Sequence, residues 1–258
     1  MSERQSNNIQ KIIAGPCAVE SEKQVEITVQ EAKKIGIQMI RGNIWKPRTE
    51  PGFEGVGAVG IPWLQAAAQE GLGISLEVIL PEHVDLILEN IFKVAPHAAI
   101  QLWIGSRNQN HLLQREIASR IAGDKRVSLM LKNQPWRDKR HWKGMVEHAK
   151  SGGLLEDQLS LCHRGFAPWD AGDTPMRNVP DLHMAKEVKE ETGLPIFLDP
   201  SHIGGTVHLV KKLVKEFGNK NWIDGQVIEV HPDPKNALTD AKQQLTWQEL
   251  AELLGANS

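Results

Sequence analysis

The stretch KIIAGPC, residues 11–17, is a short apolar run that ends in a glycine, a proline and a cysteine. In doubly wound sheets that bind nucleotides, the turn after the first strand usually carries the pattern G-x-G-x-x-G. No such pattern follows here, because the chain continues as AVESEKQ. The first strand therefore favours a barrel over an open nucleotide-binding sheet.

Seven more apolar runs follow, and amphipathic stretches such as EKQVEITVQEAKKIG separate them. Alternating strands and helices predict a parallel sheet, and eight such units in about 250 residues match a barrel of eight strands and eight helices. We therefore predict the α/β class with a single (β/α)₈ TIM barrel and an active site at the C-terminal ends of the strands; an open doubly wound sheet is the alternative. The predicted strands span residues 11–15, 37–42, 73–78, 99–105, 126–132, 158–164, 194–199 and 225–230.

The composition limits the classes of function. The chain has 258 residues and a formal net charge of −2, so it offers no basic field for nucleic acid. No apolar run approaches the roughly 20 residues that span a bilayer. No linker interrupts the series, and we expect one catalytic barrel domain over residues 1–258. Residues 1–10 would be a short polar extension, with no fused regulatory or chorismate mutase domain.

The start of the chain and its cysteines indicate a location. The first ten residues, MSERQSNNIQ, lack the apolar core of a signal peptide. The only cysteines are Cys17 and Cys162, which are too few for a disulfide framework. We expect a cytoplasmic protein.

Polar residues follow nearly every predicted strand at the point where it ends. In a barrel these positions lie in the loops that carry catalytic groups. Burying so many charged groups beside apolar strands would otherwise cost free energy, so their shared position indicates one site. The residues are Cys17, Arg41, Glu77, Arg107, Lys132, His163, Arg164, Asp199, His202, Glu229 and His231.

Two chemical subsets can be separated. One thiol, one imidazole and two carboxylates suit a divalent transition ion better than a closed structural zinc site; they belong to Cys17, His202, Glu229 and Asp240. The other subset is cationic, and its guanidinium and ammonium groups bind phosphate and carboxylate. Six cations are more than one bound monophosphate requires. They are Arg41, Lys46, Arg48, Arg107, Lys132 and Arg164.

Structural alternatives exist for single residues. Cys17 could be a small buried apolar residue, His202 could cap a helix, and Arg48 and Arg164 could be surface cations. Glu77 fits an ion pair with an arginine as well as it fits catalysis. The roles of His163 and His231 stay open, and we expect solvated side chains at His83, His141, His148 and His208.

Together the motifs resemble a known family. AGPCAVES, RGNIWKPRT, IGSRN, LKN, HRG, DPSHIGG and IEVHPDPKNALTDAKQQL are similar to 3-deoxy-D-arabino-heptulosonate 7-phosphate (DAHP) synthase, in the compact β-type branch of the DAHP/KDO-phosphate synthase family. The resemblance runs from about residue 11 to residue 250. It implies a metal-dependent TIM barrel that condenses phosphoenolpyruvate with erythrose 4-phosphate to DAHP and phosphate, the first step of the shikimate pathway.

The resemblance also implies residue roles. The metal ion would be Mn²⁺, with Fe²⁺, Co²⁺ or Zn²⁺ as alternatives, and Lys46, Cys17 and His202 would be catalytic. The enzyme would be a homodimer or homotetramer. The implied metal ligands are Cys17, His202, Glu229 and Asp240. Phosphoenolpyruvate would contact Arg41, Lys46, Arg107, Lys132 and Arg164, and erythrose 4-phosphate would contact Pro47, Arg48 and Thr49.

Other functions remain as alternatives. KDO-phosphate synthase uses arabinose 5-phosphate and typically reads K-A-N where this chain reads KPR, so Arg48 favours the four-carbon sugar. Two further alternatives are a non-catalytic subunit that binds a phosphorylated metabolite and a metal-dependent aldolase. Many members of the family have glutamate where this chain has His163. Variants similar to the sequence of this chain occur in a branch of the family that carries a fused chorismate mutase. That likeness suggests a chorismate mutase acting in trans as a partner.

Overall fold

The computed structural model describes residues 10–47, 52–169 and 172–256. Within these ranges, eight parallel strands form a closed barrel in which each strand pairs with the next and the last pairs with the first. The predicted TIM barrel is therefore confirmed, and every predicted strand is present, most of them shorter at the ends. The strands are β1 Lys11–Gly15, β2 Met39–Arg41, β3 Gly73–Glu77, β4 Ile100–Ile104, β5 Val127–Lys132, β6 Leu159–His163, β7 Ile196–Leu198 and β8 Gly225–Glu229.

Helices connect the strands, and local capping residues fix where several of them begin. Asp138 accepts hydrogen bonds from two backbone amides in the first turn of one helix, and Thr246 and Glu249 form a reciprocal capping box in another. The helices are α1 Glu22–Lys34, α2 Ile61–Gln69, α3 Pro81–Val94, α4 His111–Ile121, α5 Lys139–Ser151, α6 Leu182–Thr192, α7 Pro200–Gly204, α8 Val207–Gly218 and α9 Trp247–Leu254.

The apolar core has two main parts. The larger part lies between the strands and the helices around them. A second cluster fills the barrel interior and comprises Ile13, Trp103, Met130, Cys162, Phe197 and Val227. The interior is thus a packed, mainly apolar plug, as in other eight-stranded barrels, and it forms the floor beneath the carboxyl ends of the strands.

The contact between β1 and β8 closes the barrel and brings distant parts of the sequence together. Gly15 pairs with Glu229, and the backbone N–H of Val230 donates to the Gly15 carbonyl at 2.7 Å. Gly15 has a φ of 153°, and a Cβ there would lie 2.4 Å from the backbone oxygen of Arg41. Only glycine fits this position. The pairing of Gly15 with Glu229 places Cys17 beside the end of β8.

Two further expectations concern the cysteines and membrane-spanning helices. Cys17 and Cys162 are both free and buried. In the described part of the chain, no helix combines the length and the apolar character needed to cross a membrane.

Candidate active site

A cation-rich pocket lies at the carboxyl ends of the strands. It brings together five of the six cations singled out from the sequence, with Pro47 and His202. Its lining comprises Arg41, Asn43, Lys46, Pro47, Glu77, Trp103, Gly105, Ser106, Arg107, Lys132, Arg164 and His202. Arg48 and Thr49 lie outside the described residues. Positive groups so concentrated make the pocket a site for multiply charged anions.

An indole ring forms the floor of this pocket. The guanidinium carbon of Arg41 lies 5.3 Å from the centre of the Trp103 ring, and the ammonium nitrogen of Lys132 lies 4.7 Å from it. The electron-rich face of an aromatic ring attracts cations within about 6 Å. Trp103 therefore stabilises two buried cations at once.

The side chain of Arg41 is held in place from below. Its Nε donates to the carbonyl of Pro16 at 3.1 Å, and its Nη2 lies 3.0 Å from Glu229 Oε1. Arg41 Nη1 is buried and has no hydrogen-bond partner among the described residues. One donor of a fixed guanidinium thus remains for a bound anion.

Lys132, Asp199 and His202 form a chain of charged contacts. Lys132 Nζ lies 3.0 Å from Asp199 Oδ2, and His202 Nδ1 lies 2.9 Å from the same oxygen. Burial alone would raise the pKa of Asp199, but His202 and Lys132 hold it well below its usual range. The carboxylate therefore accepts from Nδ1–H of His202, which leaves His202 Nε2 as a lone-pair donor.

A group of possible metal ligands lies beside the cations. Ligand atoms of Cys17, Glu229 and Asp240 all lie within 4.8 Å of one another. His202 Nε2 lies 3.7 Å from Glu229 Oε1, so His202 adjoins the group on the Glu229 side. Three of the four ligands that the resemblance implies are thus clustered, and the fourth contacts one of them.

The chemistry of this group fits a divalent cation. Arg41 forms an ion pair with Glu229, yet no group among the described residues donates a well-aligned hydrogen bond to Glu229 Oε1, which is buried. Burial and the neighbouring Glu229 raise the pKa of the Cys17 thiol, so metal binding at Cys17 would release a proton. A buried carboxylate oxygen with unused lone pairs, next to a thiol and an imidazole, suits a transition ion.

Lys46, one of the cations, also contacts the group of possible metal ligands. Its Nζ lies 2.7 Å from Cys17 Sγ and 3.4 Å from Asp240 Oδ2. Burial would lower the pKa of Lys46, but Cys17, Glu229 and Asp240 raise it above its ordinary value. The ammonium is therefore charged at neutral pH and lies between the cation pocket and the acidic group.

Arg107 and Arg164 complete the cationic wall. Burial lowers the pKa of Arg164 to about 10, and the nearby Arg177 and Arg107 also lower it. The guanidinium is still charged at neutral pH, and its Nη1 donates to Asn178 Oδ1 at 3.3 Å. Arg107 Nη1 reaches the carbonyl of Pro47 at 3.5 Å. This contact places the start of the KPRT loop against the pocket.

His163 and His231 both make contacts that stabilise the structure. His163 Nε2 accepts from the backbone N–H of Asp181 at 3.0 Å, and its Nδ1 lies 3.2 Å from Asn133 Oδ1. Burial lowers the pKa of His163 to about 3, so the ring is neutral and structural. His231 Nδ1 accepts from the backbone N–H of Asp233 at 2.9 Å. It stabilises the turn after β8.

The ion pair considered for Glu77 is absent among the described residues. The Glu77 carboxylate packs instead against Gly105, where an added Cβ would lie 1.9 Å from Glu77 Oε1. Its backbone N–H donates to Asn43 Oδ1 at 2.8 Å. Glu77 thus lines the pocket beside the cations without direct pairing.

Sequence reasoning missed several residues that contact the site. Asn43 donates to the carbonyl of Cys17 at 3.1 Å, and Trp103 lies under two cations. Arg177, Gln243 and Gln244 surround the acidic group. The KQQL segment that follows Asp240 was part of a recognised motif, but uncharged amides carry no charge pattern that would have identified them.

Comparison with known proteins agrees with this geometry. Residues 5–257 match the model of the DAHP synthetase I family. A phospho-2-dehydro-3-deoxyheptonate aldolase of Thermotoga maritima is 32% identical over 246 residues, which cover 94% of this chain and 67% of that protein. A 2-dehydro-3-deoxyphosphooctonate aldolase of Alkalilimnicola ehrlichii is 25% identical over 259 residues, which cover 94% of this chain and 87% of that one.

Solved structures show the same barrel. The crystal structure of DAHP synthase from Thermotoga maritima superposes with a TM-score of 0.82 at 30% identity, covering 96% of this chain and 68% of that one. A truncated form of the Thermotoga maritima enzyme gives a TM-score of 0.78 at 27% identity, with coverage of 96% and 85%. Because the family model spans nearly the whole described barrel and the site carries the expected cations and ligands, the chain belongs to the DAHP synthetase I family.

Proposed function

We propose that this chain is a 3-deoxy-7-phosphoheptulonate synthase, which condenses phosphoenolpyruvate with erythrose 4-phosphate to give DAHP and phosphate. Membership of the family supports the activity. The observation that carries it is one pocket in which five cations adjoin a cluster of a thiol and carboxylates. A wall that binds anions beside a metal-ligand set is what a reaction between two phosphorylated substrates requires.

Phosphoenolpyruvate carries a phosphate and a carboxylate, and the deeper cations suit it. Arg41 and Lys132 are fixed over Trp103, and Arg164 is held by Asn178. Cations whose positions are fixed before binding lose little entropy when the anion arrives. We assign phosphoenolpyruvate to these three residues together with Lys46 and Arg107.

Erythrose 4-phosphate would bind at the outer side of the pocket. Pro47 contacts Arg107 through its carbonyl, and Arg48 and Thr49 follow directly in the sequence. A guanidinium and a hydroxyl next to a proline-stiffened backbone form a recognition element for a terminal phosphate. This order of sites would direct the aldehyde of the sugar inwards, towards Lys46.

The metal ion would be held by Cys17, His202, Glu229 and Asp240. When bound, it would supply Lewis acidity towards the aldehyde oxygen. We propose Mn²⁺ as the ion, with Fe²⁺, Co²⁺ and Zn²⁺ as alternatives that a soft and hard mixed ligand set also accepts. The neutral His202 Nε2, whose orientation Asp199 fixes, is the imidazole ligand.

The chain's own residues would bring the reactants together and balance their charge. The C3 carbon of phosphoenolpyruvate forms a bond to the aldehyde carbon, water adds at C2, and phosphate leaves by cleavage of its C–O bond. Lys46 Nζ is positioned to donate a proton to the new alkoxide or to stabilise its charge. Holding two reactants at near-attack distance lowers the activation free energy by on the order of 7–11 kcal/mol.

KDO-phosphate synthesis from arabinose 5-phosphate is the second candidate. The relatives with the phosphooctonate aldolase name cover 94% of this chain, but at 22–25% identity against 32% for the heptonate enzyme. The KPR sequence at residues 46–48 also favours erythrose 4-phosphate. A non-catalytic binding subunit is less consistent with the clustered ligands, since a binder needs no metal site.

Further features of the enzyme are proposals that rest on the family and the sequence. We propose one catalytic barrel domain over residues 1–258, a homodimer or homotetramer, and chorismate mutase as a partner in trans. The cytoplasmic location expected from the sequence stays a prediction. Size-exclusion chromatography with light scattering, alone and with chorismate mutase added, tests the assembly.

The activity is tested by following phosphoenolpyruvate loss and phosphate release with either sugar, before and after EDTA and after Mn²⁺ is restored. We expect turnover with erythrose 4-phosphate only, lost on chelation and recovered with metal. Metal-dependent turnover with arabinose 5-phosphate alone would replace the proposal by the second candidate. No turnover with either sugar in the folded, metal-loaded protein would favour the binding subunit.

A further inference from the structure

Three polar residues outside the proposed ligand set enclose the cluster of Cys17, Glu229 and Asp240. Gln243 and Gln244 follow β8 and are almost completely buried, at 1% and 0% exposure. Arg177 comes from the loop between β6 and α6 and reaches across to the same place. Nothing in the proposed reaction uses these side chains.

Gln243 joins a guanidinium to a candidate metal ligand. Its Nε2 donates to Glu229 Oε2 at 2.6 Å, and its Oε1 accepts from Arg177 Nη1 at 2.5 Å. The two contacts fix the orientation of the amide, because only the nitrogen can donate to a carboxylate. The amide thereby occupies Oε2 of Glu229. The other oxygen, Oε1, accepts no well-aligned hydrogen bond from the described residues and lies between Arg41 and His202.

Arg177 also holds the other carboxylate. Its Nη1 lies 3.0 Å from Asp240 Oδ1, whereas Asp240 Oδ2 accepts from Cys17 Sγ at 3.2 Å. Asp240 has a φ of 49° and is the one non-glycine residue with positive φ in the described ranges. A left-handed backbone conformation at an aspartate costs free energy, and it persists only where the surrounding structure holds it. Arg177 and the Gln243 N–H, which donates to the Asp240 carbonyl at 3.1 Å, supply that support.

Gln244 holds Cys17, the third clustered ligand, by contacting the backbone of Cys17. Its Oε1 accepts from the N–H of Cys17 at 2.9 Å, and its Nε2 donates to the carbonyl of Thr239 at 2.8 Å. Cys17 is thereby tied to the segment that carries Asp240, although 223 positions separate the two residues in sequence. All three clustered ligands are thus held by uncharged amides or by Arg177.

We propose that Arg177 and Gln243 are positioning residues that set the affinity of this cluster for a divalent cation. The inference rests on the proposed function, which supplies the metal. Glu229 and Asp240 are close carboxylates that repel each other, and free rotation would separate their oxygens. Hydrogen bonds on the outer oxygens keep the inner ones together, so that less ordering is needed when the cation binds. Loss of such outer contacts typically weakens metal binding about 10- to 100-fold.

The test measures Mn²⁺ binding rather than turnover. Metal-free protein is titrated with Mn²⁺, and free Mn²⁺ is quantified by its electron paramagnetic resonance signal. The variants are Gln243→Met, which keeps length and removes both hydrogen bonds, Arg177→Met, and the double variant. Gln158→Met is the matched control, because Gln158 is also a buried glutamine whose amide donates to three backbone carbonyls, but it directly precedes β6 at the amino ends of the strands.

We expect each single variant to raise the Kd for Mn²⁺ about 10- to 100-fold, while Gln158→Met leaves it unchanged. The double variant should be little worse than either single one, since the two residues act as one unit. Arg177→Lys should restore part of the affinity because the charge beside Asp240 remains. The melting temperatures of the metal-free proteins show whether a weaker affinity for Mn²⁺ is accompanied by a general loss of stability.

The results distinguish this inference from the proposed function. Wild-type protein that binds Mn²⁺, with Gln243→Met and Arg177→Met binding it within threefold of wild type, would overturn the positioning role alone. Wild-type protein that binds no Mn²⁺ would overturn the metal assignment and this inference with it. If Gln243→Met does not fold, Arg177→Met still decides, since that side chain is 37% exposed and its loss leaves no cavity in the core.

Discussion

The ammonium of Lys46 lies 2.7 Å from the sulfur of Cys17. The cation pocket and the candidate metal cluster are therefore in direct contact at this point. A group placed there senses both the charge of the ligands and the charge of a bound substrate. The proposed order of sites follows from this contact, because the aldehyde must reach Lys46 and the ligand set together.

Replacing Cys17 by alanine should abolish metal-dependent turnover while the barrel stays folded. The thiol is the soft ligand of the set, and its loss leaves two carboxylates and one imidazole near Lys46. We expect a loss of more than about 100-fold in kcat, in line with removal of a direct metal ligand. Metal content and circular dichroism should be measured with the kinetics. Cys162→Ala is the control, since Cys162 belongs to the apolar plug; equal metal dependence in both variants would refute the assignment.

Replacing Arg48 by alanine should weaken erythrose 4-phosphate far more than phosphoenolpyruvate. A charge-assisted hydrogen bond contributes about 1.5–3 kcal/mol, which corresponds to a rise of roughly 10- to 150-fold in the KM for the sugar phosphate. Initial rates measured with each substrate varied in turn give the two KM values. Arg140→Ala, on the exposed start of α5, serves as the control for surface charge. Equal losses for both substrates would give Arg48 a shared or structural role.

Trp103→Leu should raise the KM for phosphoenolpyruvate about 5- to 30-fold. Its ring lies under Arg41 and Lys132, and cation–π contacts that exclude water contribute about 1–2 kcal/mol. Trp103→Phe should lose less, because a smaller aromatic face remains. Steady-state kinetics with phosphoenolpyruvate as the varied substrate is the measurement, with the 70%-exposed Trp169 replaced by leucine as control. An unchanged KM in Trp103→Leu would show that the cations need no aromatic floor.

His163→Gln should reduce the sensitivity of the fold to acid. Burial lowers the pKa of His163 from 6.5 to about 3, so the unfolded chain takes up a proton in this window and the native state does not. Native stability therefore falls as the pH drops from about 6.5 towards 3, by up to ~1.4 kcal/mol per pH unit from this residue. Glutamine retains an acceptor for Asp181 N–H without this titration.

Urea unfolding at pH 6 and pH 4 measures this slope. The loss of unfolding free energy between the two pH values should be smaller in His163→Gln than in wild type. His208→Gln, on the exposed face of α8, provides the comparison for a histidine on the surface. Equal slopes in wild type and His163→Gln would contradict a buried neutral imidazole.

The fold could be predicted because its signals are local. Eight apolar runs alternate with amphipathic stretches, and each predicted run became a strand of the barrel. The shared position of polar residues at strand ends likewise predicted which cations would meet in one pocket. Both inferences depend only on periodicity and on the rule that parallel strands bring their carboxyl ends to one face.

Contacts between loops could not be predicted in this way. Arg177 and Gln243 meet only because the loops after β6 and β8 come into contact. The expectation of solvated helical histidines was wrong for His83, which stacks on Trp45 at 3.8 Å between ring centres. It was also wrong for the half-buried His141 and His148, whose rings pack against His111. Helical periodicity shows which face a residue lies on, but not which neighbouring helix covers that face.

The pairing of β1 with β8 has a consequence for how the protein is made. Cys17 leaves the ribosome early, whereas Glu229 and Asp240 are synthesised more than 200 residues later. During most of synthesis β1 has an unpaired edge, and the thiol lacks two of its partners. The proposed metal site can assemble only when the last strand closes the ring, because non-local pairings form late. Under this proposal, uptake of the metal would report that the barrel is complete, and a chain interrupted before β8 would lack two of the proposed ligands.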